Sequence, residues 1–180
     1  MTDQTINTPS DHSAGDLCFR AERPDDIATI YRLTQTAFAP MGFSDGTEAD
    51  CLNKLRDDGD LTVSYVALRG DEIIGHVALS PVRLDGTAGS WLGLGPVAVA
   101  PEMQRQGIGS QLIAKACEIA RDQGALGIVL IGNPKVYGSM GFISDGGMRY
   151  RDVPPEIVQF QAFTDKRPRG ALTFSKGLED

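Results

Sequence analysis

The stretch PEMQRQGIGSQLI, residues 101–113, constrains the fold more than any other part of the chain. An apolar run that ends at Val99 leads into it, and the amphipathic pattern that begins within it predicts a helix from about Gln106 to Gln123. Gly107 and Gly109 stand at the front of that predicted helix, although a glycine inside a helix costs about 0.5–1 kcal/mol relative to alanine. A buried strand, a glycine-containing turn and a helix in this order indicate part of a mixed α/β domain.

The two glycines have two explanations. In the first, an anion lies against the helix N-terminus, where backbone N–H groups lack helical partners and the helix dipole is positive. A side chain at position 107 or 109 would then stand between those donors and a bulky diphosphate. In the second, the glycines only permit close packing of the helix on a strand. The diphosphate hypothesis assigns the contacts to one loop: Gln104, Arg105, Gln106, Gly107, Ile108, Gly109 and Ser110.

The rest of the chain predicts one α/β (α+β) domain over residues 16–180, preceded by a flexible polar tail over residues 1–15. A short strand at Leu17–Ala21 precedes two helices, and a turn at Gly70 joins the next two strands. The run Trp91–Val99 is apolar on both sides, as in a central strand buried on two faces. We expect a strongly twisted mixed sheet of about six or seven strands and about four helices, ordered β-α-α-β-β-β-α-β-α-β.

Charge and composition exclude several classes of protein. The formal net charge of −7 argues against nucleic-acid binding, which needs a basic face. The same charge is compatible with a cationic substrate such as an amine, or it simply maintains solubility. No apolar run approaches the length of a membrane span and no secretory signal is visible, so we expect a cytoplasmic protein without a membrane partner.

The cysteines and histidines do not form a metal-binding pattern. The three cysteines are far apart, and we interpret Cys18 and Cys117 as small core residues in a reducing compartment. Only two histidines are present, His12 in the predicted tail and His76 on a strand. The sequence therefore predicts no metal site.

Two motifs, in order and correctly spaced, resemble the acetyl-coenzyme A-binding core of the GNAT superfamily of N-acetyltransferases. The first is GPVAVAPEMQRQGIGSQLIAKACEIA, in which Gln104, Gly107 and Gly109 occupy the signature positions. The second is NPKVYGSMGF, which begins at Asn133 and contains Tyr137. The resemblance covers about residues 63–150 well.

This resemblance implies acetyl-CoA as cosubstrate and a primary amine, on a small molecule or a peptide, as acceptor. It implies that the Val97 N–H, exposed by a bulge at Gly95-Pro96, binds the thioester carbonyl, and that Val99 backbone groups pair with the pantetheine amides. Tyr137 matches the position of a general acid for the departing thiolate, or it is only a half-buried aromatic. Asn133 before a proline is typical of a helix N-cap, and it contacts the cofactor instead or as well.

One departure from the family pattern concerns the general base. Many relatives carry an acidic residue on the central strand, but residues 91–94 are Trp, Leu, Gly and Leu. A water relay, Asp45, Glu48 or His76 are the alternatives, and a lone strand histidine is more often structural. Two alternatives to an enzyme therefore remain: a non-catalytic acyl-CoA-binding module and an unrelated phosphate-ligand binder. For the oligomeric state we expect a monomer or a homodimer.

Overall fold

A computed structural model describes residues 16–179. The predicted tail over residues 1–15, with His12, lies outside the described residues. Within residues 16–179 there are eight strands and five α-helices. The strands are β1 Leu17–Ala21, β2 Val63–Arg69, β3 Glu72–Leu84, β4 Thr87–Val99, β5 Gly127–Ile131, β6 Met148–Arg149, β7 Val158–Ala162 and β8 Gly170–Phe174. The helices are α1 Ile27–Phe38, α2 Glu48–Asp57, α3 Ile108–Asp122, α4 Pro134–Tyr137 and α5 Lys176–Glu179.

The strands form one mixed sheet in the order β1-β2-β3-β4-β5-β7. All neighbours in this order are antiparallel except β4 and β5, which run parallel because α3 connects them by a crossover. Strand β8 pairs with the distal end of β3 and with the two-residue β6. The predicted α/β architecture is confirmed, and the strand count exceeds the expected six or seven because the C-terminal region supplies β6 and β8.

Helices cover both faces of the sheet. Gly75 of β3 faces Ile108 and Leu112 of α3, whereas Ala78 packs with Ile30 of α1 on the opposite face. Because successive strand residues point to opposite faces, these contacts place α3 on one side and the α1–α2 pair on the other. The central strands are therefore buried on two faces, as their uninterrupted apolar runs predict.

Two expectations from the sequence were wrong in detail. Cys18 is exposed rather than in the core: β1 is the edge strand, and Leu17 and Phe19 pack on the core while Cys18, on the opposite face, stays exposed. Helix α3 begins at Ile108 rather than Gln106, since Gly107 is its N-cap with a φ of +80°.

Among the described residues, no helix has both the length and the apolar character needed to cross a membrane.

Candidate functional site

A cavity of about 250 Å³ lies where β4 parts from β5. The two strands pair only from Trp91↔Gly127 to Gly93↔Val129, although β4 continues to Val99. Beyond Gly93 no strand within residues 16–179 lies beside the β5-side edge of β4. The cavity is lined by residues of β4, the following loop, α3, α4 and the turn after α4: Val97, Val99, Met103, Gln104, Arg105, Gly107, Ile108, Gly109, Ser110, Ile113, Val136, Tyr137 and Met140.

The backbone of β4 directs polar groups into this opening. The Ala100 N–H donates to the Ile74 carbonyl at 2.9 Å, which makes Gly75↔Val99 a non-hydrogen-bonded pair of the β3–β4 ladder. The N–H and C=O of Val99 therefore point away from β3, towards the opening. Val77↔Val97 has the same parity, so the Val97 groups point the same way. An extended ligand lying there can pair with β4 as an added strand does.

A bulge in β4 precedes these residues. The register with β3 shifts between Val77↔Val97 and Leu79↔Leu94, so that Gly95 and Pro96 of β4 stand opposite the single residue Ala78 of β3. The Gly95-Pro96 peptide bond is cis and Gly95 has a φ of +139°. The structure thus contains an irregularity where the sequence predicted one, next to the Val97 N–H.

The two glycines at the start of α3 have different structural reasons. Gly107 takes a left-handed conformation, with a φ of +80°, that favours glycine. Gly109 lies in the first turn of α3 with an ordinary helical conformation, and a Cβ there would meet only Val99 Cγ2 at 3.7 Å. Neither conformation nor packing within the described chain therefore requires glycine at position 109, and the packing explanation fails for it. The absence of a side chain at position 109 leaves the cavity wall open there.

The remaining loop residues divide into two groups. Arg105 has a φ of +58° and lines the cavity together with Ile108 and Ser110. The Gln104 amide also lies at the cavity, where its Nε2 donates to the Val99 carbonyl at 3.0 Å and so ties the loop to β4. Gln106 does not line the cavity: its exposed side chain donates to the Glu102 carbonyl at 3.2 Å.

Tyr137 lies opposite the loop, at the end of α4. Burial raises the pKa of its phenol, so the hydroxyl is protonated at neutral pH and available as a donor. Its ring packs edge-on against Phe142, with centroids 6.1 Å apart. The structure thus brings the predicted acid into the same cavity as the open edge of β4 and the start of α3.

Asn133 acts as an N-cap in the structure. Its Oδ1 accepts from the Lys135 N–H at 3.0 Å, with Pro134 at the first helical position. The side chain is exposed and does not line the cavity. Of the two roles considered for Asn133, the contacts within the chain account for capping.

None of the three side chains considered as a general base reaches the cavity. His76 is fully buried under α2, on the face of the sheet opposite α3, where Nε2 lies 2.8 Å from Ser64 Oγ. Burial lowers its pKa against the opposing effect of Glu22, so the imidazole is neutral. Asp45 accepts from the backbone N–H and hydroxyl of Thr47, and Glu48 lies in the first turn of α2. The structural reading of His76 is therefore correct.

Sequence reasoning missed the apolar part of the lining: Met103, Ile113, Val136 and Met140. The signal for two of them was present, because Val136, Tyr137 and Met140 have the i, i+1, i+4 spacing of one helix face. Met103 and Ile113 gave no such signal, because the sequence does not show which sides of the loop and of α3 meet the opening.

Comparisons with known proteins agree with this geometry. Residues 27–142 match the family model described as acetyltransferase (GNAT) family. The uncharacterized N-acetyltransferase YhbS of Escherichia coli K12 is 32% identical over 127 residues, which are 70% of this chain and 73% of YhbS.

Two solved structures are similar over nearly the whole chain. A GNAT family acetyltransferase from Brucella melitensis in complex with acetyl-CoA has a TM-score of 0.82 at 34% identity, covering 91% of this chain and 98% of that one. YhbS from Escherichia coli in complex with CoA has a TM-score of 0.84 at 26% identity, covering 96% and 97%. The match to the family model spans more than half of the sequence, and the chain therefore belongs to the GNAT family of acetyltransferases.

Proposed function

We propose that this chain transfers an acetyl group from acetyl-CoA to a primary amine, by direct attack within a ternary complex. The observation that carries the proposal is the convergence of three features on one cavity. These are the unpaired backbone edge of β4, the unobstructed start of α3 and the protonated hydroxyl-bearing ring of Tyr137.

Acetyl-CoA fits this cavity by the chemistry of its parts. The pantetheine amides match the outward N–H and C=O groups of Val99, and the diphosphate matches the backbone donors and positive dipole at the start of α3. Gln104 bonds the Val99 carbonyl in the structure, so the pantetheine shares or replaces that bond. Similar proteins from Brucella melitensis and Escherichia coli bind acetyl-CoA and CoA, which supports the assignment.

The proposed reaction has two bond changes. The neutral amine attacks the thioester carbon, and the Val97 N–H stabilises the negative charge that develops on the carbonyl oxygen. As the C–S bond breaks, Tyr137 donates its proton to the departing sulfur, and its phenolate takes a proton back from water before the next turnover. No carboxylate or imidazole of the described residues lines the cavity, so we propose that water takes the proton that the amine loses.

The Tyr137→Phe variant tests the acid. We expect kcat to fall about tenfold or more, because proton transfer by a positioned group contributes at least that much. The dissociation constant of coenzyme A should stay the same, because the ring is retained and the diphosphate site is elsewhere. Thiol release from acetyl-CoA, measured against a panel of small amines and peptides, gives kcat, and calorimetry gives the affinity.

The same panel tests the alternative of a non-catalytic acyl-CoA-binding module. The absence of a carboxylate or imidazole from the cavity lining, among residues 16–179, favours that alternative. If the wild-type protein binds coenzyme A and releases no thiol with any amine, the enzymatic proposal is wrong.

We propose a small-molecule or peptide amine as acceptor, no nucleic-acid partner, and a monomer or homodimer.

A further inference from the structure

Gly132, the residue after β5, occupies a position where the Tyr137 ring excludes any side chain. A Cβ built on Gly132 would lie 2.4 Å from Cε2 and 2.8 Å from Cδ2 of that ring. The backbone of Gly132 is outside the left-handed region, so its conformation alone would admit any residue. The ring of Tyr137 is therefore what requires glycine here.

The Gly132 backbone cannot retreat from the ring. Its N–H donates to the Ile157 carbonyl at 2.9 Å, and its carbonyl accepts from Gln159 Nε2 at 2.8 Å. Gln159 is 1% exposed, so losing that bond would leave a buried amide unsatisfied. Residues at the start of β7 thus hold both the N–H and the carbonyl of Gly132.

Tyr137 is held equally firmly at its backbone. Its N–H donates to the Asn133 carbonyl at 3.1 Å, and its carbonyl accepts from the Phe142 N–H at 3.2 Å. The ring contacts Gly132 along its Cδ2–Cε2 edge and also packs edge-on with Phe142, which is 1% exposed. Phe142 packs edge-on against the ring and opposes rotation about Cβ–Cγ, which would leave the hydroxyl in place. We therefore expect a side chain at position 132 to turn Tyr137 about its Cα–Cβ bond, which moves the hydroxyl.

We propose that Gly132, held in place by Gln159, is a positioning residue that sets where the Tyr137 hydroxyl lies in the cavity. The inference rests on the proposed role of Tyr137 as proton donor. It adds a residue outside the cavity lining that acts on the reaction only through the tyrosine ring.

The test is a double-mutant cycle of Gly132→Ala and Tyr137→Phe. We expect Gly132→Ala alone to lower kcat about tenfold, because misplacing a reacting group by an ångström has effects of this order. In the Tyr137→Phe background the same change should alter kcat by less than about twofold, since no hydroxyl remains to be misplaced. The dissociation constant of coenzyme A, measured by calorimetry, should change less than kcat does.

Gly138→Ala is the matched control. Gly138 directly follows the tyrosine, has a φ of −59°, and a Cβ there meets nothing within 4 Å. We expect its kcat to equal that of the wild type, so an effect of Gly132→Ala cannot be ascribed to losing a glycine near α4.

The outcomes separate the two proposals. If Tyr137→Phe lowers kcat and Gly132→Ala does not, Gly132 has no positioning role while the acid assignment stands. Equal losses from Gly132→Ala in both backgrounds also refute positioning, because the effect is then structural. If Tyr137→Phe leaves kcat unchanged, the acid assignment is wrong and the role of Gly132 falls with it.

A second variant covers the case in which Gly132→Ala does not fold. Gln159→Asn shortens the side chain whose amide holds the Gly132 carbonyl, without adding a side chain at position 132. We expect a smaller loss of kcat that again vanishes in the Tyr137→Phe background. A loss that persists there would contradict the proposal.

Discussion

Replacing Gly109 with valine is expected to weaken acetyl-CoA binding about 100-fold while leaving the fold intact. The added methyl groups would occupy the cavity wall at the start of α3, between the backbone N–H groups and the diphosphate. Each hydrogen bond to a charged group contributes about 1.5–3 kcal/mol, so the loss of two corresponds to roughly this factor or more. Isothermal titration calorimetry with acetyl-CoA measures it directly.

The smaller change Gly109→Ala should raise the stability of the fold while it weakens acetyl-CoA binding. Because residue 109 is helical and a Cβ would meet only Val99 Cγ2 at 3.7 Å, alanine should stabilise α3 by about 0.5–1 kcal/mol. Acetyl-CoA binding should still weaken. A variant that unfolds at a higher temperature and binds its cosubstrate less well separates the cost to the site from any cost to the fold.

A truncated donor provides the control for Gly109→Val. Acetyl-pantetheine carries the thioester and the amides but lacks the diphosphate, so its kcat/KM should be the same for variant and wild type. If the variant loses both donors equally, the glycine affects the whole cavity rather than the diphosphate. If acetyl-CoA binds undiminished, the loop from Arg105 to Ser110 is not the diphosphate site.

The Glu22→Gln change is expected to destabilise the fold by about 3 kcal/mol, at the low end for breaking a buried ion pair. Glu22 follows β1 and accepts two bonds from Arg56 of α2, at 2.7 and 2.8 Å, and one from the Ser64 hydroxyl. The Arg56 and Glu22 side chains are only 13% and 11% exposed. Glutamine would leave the guanidinium without its counter-charge, and the melting temperature should fall by about 6–12 °C in a chain of this size.

Two further variants check that explanation. Glu118→Gln removes an exposed ion pair with Lys115 on α3, and should lower the melting temperature much less than Glu22→Gln does. Adding Arg56→Met to Glu22→Gln should recover part of the loss, because it removes the uncompensated charge. If Glu22→Gln melts with the wild type, or the second change only adds to the damage, the pair does not stabilise α2 as argued.

The same cluster predicts that stability falls with acidification. Burial disfavours the Glu22 carboxylate, but bonds from His76, Arg56 and Ser64 outweigh it and lower its pKa below the ordinary 4.5. Burial also lowers the pKa of His76 below 6.5. The unfolded chain thus binds more protons than the folded one, so stability is lost from about pH 6.5 downward through His76 and further below about 4.5 through Glu22.

Denaturant titrations across pH measure this dependence. In Glu22→Gln the additional loss below about pH 4.5 should be reduced, while the loss that begins near pH 6.5 should remain. A stability that is flat between pH 7 and 5 would contradict the assignment of a buried neutral histidine.

The sequence determined the element order and the chemistry of the loop. The turn at Gly70 placed the β2–β3 hairpin, and the apolar patterns placed β4 and α3, since each element's pattern of burial shows directly in its residues. Two motifs, the first with Gly107 and Gly109 and the second with Tyr137, indicated the site. Nine of the eleven residues predicted for it line the cavity. Gln106 and Asn133 do not line it, because their side chains bond to nearby backbone.

Only the tertiary structure decided where strands part and what lies behind each side chain. That β4 loses β5 after Gly93, that Gly109 is free of packing while Gly132 lies against Tyr137, and that Glu22 meets Arg56 all depend on contacts between distant segments. Local patterns record which residues a segment buries, because periodicity follows from its own backbone geometry. They do not record the partner, because the partner is set by how the whole sheet and its helices pack together.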